Sequence, residues 1–350
     1  MTRLHNSSPP ARPWRPAASP ERPLSKALSS LARLRPDNFT LCLVGTVILA
    51  SLLPCQGLAA KVMDGVTDIA IALLFFLHGA KLSREAVLAG LGHWRLHLMV
   101  LASTFVLFPL IGLTFRFVPA SLLNPTIAAG LLYLCILPST VQSSIAFTAI
   151  ARGNVPAAIC GASLSNIVGV ALTPVLAAVL LGAKGQGGDM LGAVWSILLQ
   201  LLAPFVAGHL LRPWIGGFVD RHKTVLTLVD RGSILLVVYT AFSAAVVEGL
   251  WRKMGAGDLA TILVLDIAIL AIALFATNLI ARRAGLSKAD EITLVFCGSK
   301  KSLASGVPMA GLLFPAAVVG PMIVPLMLFH QIQLMVCAVL ARRYAARAED

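Results

Sequence analysis

Residues 303–340 contain no Asp, Glu, Lys or Arg, and residues 292–297 form another apolar run. Between them sits Gly298-Ser299-Lys300-Lys301-Ser302. Two adjacent lysines at bilayer depth cost roughly 2.5–3.5 kcal/mol each on insertion scales. Gly and Ser around them favour unwound backbone, which at depth is tolerated only where it is buried in protein or lines a polar cavity. A chain that keeps such a stretch inside apolar sequence reads as a membrane bundle with a broken helix at a site.

Composition agrees. Hydrophobic residues make up 58% of the 350 and charged residues 12%, against about 25% charged in a soluble domain. The fold class expected is an all-α polytopic membrane protein. Ten apolar spans fall at 38–54, 62–80, 94–117, 125–150, 155–182, 190–211, 232–247, 259–281, 291–314 and 317–340, each near the ~20 residues that cross ~30 Å of hydrocarbon. With the N-terminus inside, 21 basic residues fall on cytoplasmic segments and five on the other side. Without the first 37 residues the ratio is still 14 to five. By the positive-inside rule both termini are then cytoplasmic. The net charge of +13 therefore reflects cytoplasmic loops facing the lipid bilayer, and nucleic acid is not an expected partner.

Residues 1–37, rich in Arg, Pro and Ser and without an apolar h-region, read as a disordered basic cytoplasmic tail. Residues 38–182 form a first set of five spans, the Gly185-Gln186-Gly187-Gly188 linker follows, and residues 189–341 form a second set, with 342–350 as a C-terminal tail. Five is odd, so the second set starts from the opposite side, as in an inverted-topology repeat. Spans four and nine then correspond, and both carry the most polar sequence. In span four Pro138 removes a backbone donor and turns Leu137 away from helix. Ser139, Thr140, Gln142, Ser143 and Ser144 then offer hydroxyls and an amide to satisfy freed groups. Ser163 and Asn166 in span five lie three apart and share a helix face.

Asp266, seven residues into span eight, is a candidate counter-ion for a lysine or a proton carrier. Asp68, His78, His330, Gln331 and Gln333 are further polar residues within spans. The six cysteines show no CxxC or CxxH spacing and read as packing residues, so no metal site is expected. Nothing resembles a nucleophile–base pair or a nucleotide loop, so an enzyme is not expected.

Pro138-Ser-Thr-Val-Gln-Ser-Ser144, Arg152-Gly-Asn154, Leu172-Thr-Pro174 and Phe296-Cys-Gly-Ser-Lys-Lys-Ser302 resemble the bile acid:sodium symporter superfamily. The similarity is to its SBF-like branch, the bacterial relatives of the seventh member of the human solute carrier 10 family, over about residues 38–340. The resemblance implies ten transmembrane helices in two inverted five-helix repeats, with helices four and nine broken and crossing at the substrate and ion site. It also implies an inner-membrane location. Sodium-coupled members carry a Ser-Asn pair where Ser143 and Ser144 stand, and a glutamate and a glutamine where Phe296 and Lys300 stand. Their fifth-helix hydroxyl ligands fall at about Ala158 and Ala162. A carboxylate is lost and an ammonium gained where sodium would sit.

The expected function is therefore a secondary transporter of a small organic anion, sodium-independent or proton-linked. Its expected binding residues are Ser139, Thr140, Gln142, Ser143, Ser144, Ser163, Asn166, Gly298, Ser299, Lys300, Lys301 and Ser302, with Asp266 as the candidate proton carrier. Lys300, at the matched glutamine position, is the better candidate of the two lysines. No cofactor is expected, sodium being a coupling ion that the departures argue against. The alternatives are a sodium-coupled organic-anion symporter and a non-transporting regulatory membrane protein.

Overall fold

The computed structural model describes residues 38–81, 93–182 and 190–347. The predicted tail 1–37 and the 185–188 linker lie outside the described residues. Among those described the chain is helical, without a strand. In order come α1 (Asn38–Leu52), α2 (Gly57–Lys81), α3 (Trp94–Phe117), α4 (Pro125–Ile136), α5 (Gln142–Ile150) and α6 (Val155–Leu181). Then follow α7 (Met190–Arg221), α8 (Lys223–Val247), α9 (Ala256–Arg283), α10 (Lys288–Gly298), α11 (Leu303–Leu313) and α12 (Ala316–Ala345). Six of these helical stretches are long and apolar enough to cross a membrane: α3, α6, α8, α9, α12 and the Leu198–Arg221 part of α7. Large apolar side chains such as Leu52, Ile69, Leu110 and Phe275 are exposed on the outside. This is the surface of an integral membrane protein, whose solvent is lipid.

Local chemistry sets the helix ends. Asn124 and Asn154 cap α4 and α6, each accepting from a backbone N–H, and Pro125 and Pro156 occupy the first turns. Ser287 caps α10 by accepting from the Asp290 N–H at 3.2 Å. Helix α8 begins at Lys223 rather than at 232. The reason is that its first turns meet the end of α2: Asp230 pairs with Lys81, while Arg212 of α7 donates to the Ala80 carbonyl at 2.7 Å. Charges expected in loops thus satisfy the carbonyl end of a helix.

Helices α2 and α7 cross at backbone contact. A Cβ added at Gly79 would lie 1.9 Å from the Phe205 carbonyl oxygen, and one at Gly208 would lie 1.9 Å from that of Phe76. Small residues permit such an approach between membrane helices. Helix α8 packs on α1 and α2 and also on α11 and α12. Helix α12 runs past α4, α5, α9 and α11, and α10 lies among α3, α5, α6 and α9. These contacts surround the two interruptions, one between α4 and α5 and the other between α10 and α11.

Candidate functional site

Helix α4 stops at Ile136 because Leu137, held extended before Pro138 (φ −76°, ψ 157°), cannot continue it. Helix resumes at Gln142, so Gln142, Ser143 and Ser144 form the first turn of α5 instead of lying in the interruption. Likewise Gly298 ends α10, and only 299–302 are non-helical. A Cβ on Gly298 would come within 3.1 Å of the Ser103 Cβ and 3.2 Å of the Thr277 Cγ2, so a small residue is needed where α10 passes α3 and α9. Ser302 caps α11, accepting from the Ser305 N–H at 3.2 Å.

Hydrogen bonds join the segments around the two interruptions. The Ser302 N–H donates to the Pro138 carbonyl at 2.9 Å. Ser139 Oγ donates to the Cys297 carbonyl at 2.6 Å and Ser144 Oγ to the Phe296 carbonyl at 3.0 Å. These three carbonyls thus find partners on the other segment.

Both lysines are fully buried, but they are held differently. Lys301 Nζ donates to the carbonyls of Thr104 (2.9 Å), Cys135 (2.8 Å) and Leu137 (2.7 Å), using all three ammonium donors. It also lies 4.1 Å from the Phe108 ring centroid. The Thr104 carbonyl is free for a definite reason. Residues 103–107 of α3 form a π turn in which the Phe108 N–H reaches back to the Ser103 carbonyl. The next residue, Pro109, has no N–H to give Thr104. The Cys135 and Leu137 carbonyls belong to the end of α4, where orphan acceptors carry partial negative charge. Charge-assisted hydrogen bonds contribute about 1.5–3 kcal/mol each. Three of them match the several kcal/mol that burying an ion costs.

Lys300 has less. Its Nζ reaches Ser143 Oγ at 3.5 Å and lies 4.5 Å and 5.5 Å from the Phe147 and Phe296 ring centroids. A desolvated cation–π contact is worth about 2 kcal/mol, and a 3.5 Å hydrogen bond adds little. The Lys300 charge is therefore under-compensated, and it stands at the start of α5, whose first turn has no side-chain cap. That combination of spare ammonium donors and helix N-terminal amides is chemically suited to an anion. Of the two lysines, Lys301 bonds to the backbone at the α4 break, whereas Lys300, the better candidate by its matched position in the sequence, reaches Ser143 Oγ.

The other candidates divide. Thr140 is buried and hydrogen-bonded to Ser143. Ser299 Oγ turns back to the Val295 carbonyl at 2.5 Å. Asn166 accepts from Ser305 Oγ at 2.9 Å. On α6 it is Ser165, not Ser163, that meets the first interruption, accepting from the Ser139 N–H at 3.1 Å. Gln142 is exposed and has no hydrogen bond to the second interruption. Asp266 is fully buried on α9, yet neither carboxylate oxygen has a hydrogen-bond partner. It forms no ion pair with Lys300 or Lys301, so the expected counter-ion contact is absent among the described residues. Two contributors were not among the expected binding residues. The Thr104 carbonyl is a backbone group, signalled only by Phe108-Pro109. Gln333 of α12 is fully buried and grips the Lys301 peptide, accepting from its N–H and donating to its carbonyl, each at 2.9 Å.

With this geometry in view, known proteins add their testimony. The model of the SBF-like CPA transporter family matches residues 37–346. An uncharacterized protein of Pseudomonas aeruginosa is 61% identical over 321 residues, covering 92% of this chain and 96% of its own. YfeH of Escherichia coli K12, whose name proposes a symporter, is 56% identical over 314 residues, 90% and 94% of the two chains. The mouse protein named sodium/bile acid cotransporter 7 is 27% identical over 322 residues, 89% and 93% of the two chains. These relatives are named as transporters where they are named by function, and none as an enzyme. The chain belongs to the SBF-like CPA transporter family.

Proposed function

We propose that the chain is a secondary transporter of a small organic anion that works without sodium, by alternating access around the two interruptions. In this reading the α4–α5 and α10–α11 pairs are the broken fourth and ninth spans of an inverted ten-span repeat, in an inner membrane with both termini cytoplasmic. The observation that carries it is the Lys301 ammonium, bonded to three carbonyls at the end of α4. It is a tethered cation in surroundings that suit a bound one. Lys300, with donors to spare beside the first turn of α5, is the anion's contact. Ser143 and Thr140 lie beside it.

Phe296 is fully buried and brings a ring where sodium-coupled relatives bring a carboxylate. A unit positive charge ~4 Å away costs a competing cation about 4 kcal/mol at an effective dielectric near 20. Hydroxyls alone do not offset that. Asp266, whose carboxyl has no hydrogen-bond partner among the described residues, is the candidate carrier if a proton is the coupling ion.

A second reading, sodium coupling, is favoured by the name of the vertebrate relatives. Counterflow of labelled organic anions in proteoliposomes, with sodium present or replaced by choline, separates the two. Sodium-insensitive counterflow supports the proposal, and a saturable sodium requirement supports the alternative.

A further inference from the structure

Gln333 makes a set of hydrogen bonds that leaves its amide no freedom. Its Oε1 accepts from the Lys301 N–H and its Nε2 donates to the Lys301 carbonyl, both at 2.9 Å. An amide has one acceptor end and one donor end. The Lys301 peptide groups therefore dictate which end faces which, and a flip would lose both bonds. The second Nε2 hydrogen is then directed at His330 Nδ1, 3.0 Å away on the same face of α12. Because the amide can only donate there, His330 Nδ1 must accept. The imidazole is neutral, with its proton on Nε2. An imidazolium would present N–H against N–H, a clash relieved when either the imidazole turns away or Gln333 releases the Lys301 peptide.

We propose that Gln333 is the positioning residue that clamps the 299–302 loop, and that His330 is a proton-binding site whose protonation releases the clamp. With release by Gln333, a bound proton at His330 and the clamped loop exclude each other. Release would free the Lys301 backbone and, with it, the geometry of the adjoining Lys300. This deepens the transport reading by giving it a proton-sensitive element at the lysine loop, distinct from Asp266.

Among the helices packed against α12, α5 and α11 carry no other titratable group, and α4 brings Tyr133 and Cys135. Helix α9 brings Asp266 at mid-length with Asp258, Arg282 and Arg283 at its ends, and α8 brings Tyr239, with Asp230, Arg231 and Lys223 nearer its start. Helix α12 itself carries Cys337 and, in its last turns, Arg342, Arg343 and Tyr344. Helix α1 joins through Thr40, which donates to Gln331 Oε1 at 2.6 Å, and brings Cys42. The Lys301 ammonium is turned toward its three carbonyls. Of these groups only His330 is hydrogen-bonded to the Gln333 side chain.

The test is amide hydrogen exchange of residues 299–302 in the purified full chain in nanodiscs, corrected for intrinsic rate. The measurements are made at about pH 5 and about pH 8, which bracket histidine titration. In the wild type, exchange should rise about tenfold on the acid side, the size expected from one or two lost hydrogen bonds. His330→Asn keeps an acceptor near the Nδ1 position but gains no proton, so the loop should stay protected at both pH values. His330→Arg, a permanent donor, and Gln333→Met, which lacks the clamp, should exchange fast at both, in chains that still elute as a single species. Equal corrected exchange at both pH values in the wild type, or an acid response that persists in His330→Asn, overturns the proposal. No substrate enters this measurement. Failure of anion counterflow would count against the transport reading and leave the exchange result standing.

Discussion

Lys301 donates to three carbonyls and Lys300 to one distant hydroxyl, so substituting each should give a different phenotype. Lys301→Met strands three buried acceptors, at about 1–3 kcal/mol each. It should lower the thermal midpoint sharply, or prevent isolation of a folded chain. Lys300→Met removes a charge that little compensates. It should leave the midpoint within a few degrees while abolishing anion counterflow, read against Lys61→Ala at an exposed position. Equal, small losses from Lys300→Met and Lys61→Ala would make the buried ammonium irrelevant to the anion. The sequence favoured Lys300 by its matched position but could not show which ammonium meets the α4 carbonyls. Lys300 and Lys301 send their ammonium groups to different partners, and one of Lys301's, the Thr104 carbonyl, is freed by a π turn nearly 200 positions earlier. Gln333 stood out in the sequence as a polar residue among apolar ones. Its contact 32 positions away depends on the packing of α12, which no local pattern specifies.

At the scale of elements, Pro138 and the 298–302 string announced both interruptions, because each acts on its own backbone through a missing donor or permissive residues. Their limits were less legible, since helix returns as soon as the Pro138 constraint has passed. The long N-terminal part of α8 was invisible because its charges are stabilised by α2, not by α8 itself. The α2–α7 crossing makes a sharp prediction. Gly208→Ala would place a methyl 1.9 Å from the Phe76 carbonyl oxygen, whereas nothing lies within 4 Å of a Cβ at Gly217. Gly208→Ala should force the helices apart and lower the yield of monodisperse protein in size-exclusion chromatography. Gly217→Ala should be neutral, or stabilising by roughly 0.5–1 kcal/mol, through helix propensity. Similar behaviour of the two variants would mean that the close crossing is not needed.

For the whole molecule, the bundle sets two interruptions against each other and supplies its own positive charges there. On the proposed function, an organic anion is attracted without a co-bound metal cation, and a proton on Asp266 is the candidate coupling ion. Asp266→Asn keeps the shape and removes the titration. If the proton moves on this residue, the variant should lose pH-driven uphill uptake while retaining counterflow. Wild-type uphill uptake in Asp266→Asn would place the proton elsewhere. The central claim is that Lys301 and its three carbonyls take the place of a bound sodium ion. It is tested most directly by organic-anion counterflow in proteoliposomes as sodium is replaced by choline at constant ionic strength and pH. The account predicts the same rate at every sodium concentration. A rate that rises with sodium and saturates would contradict it.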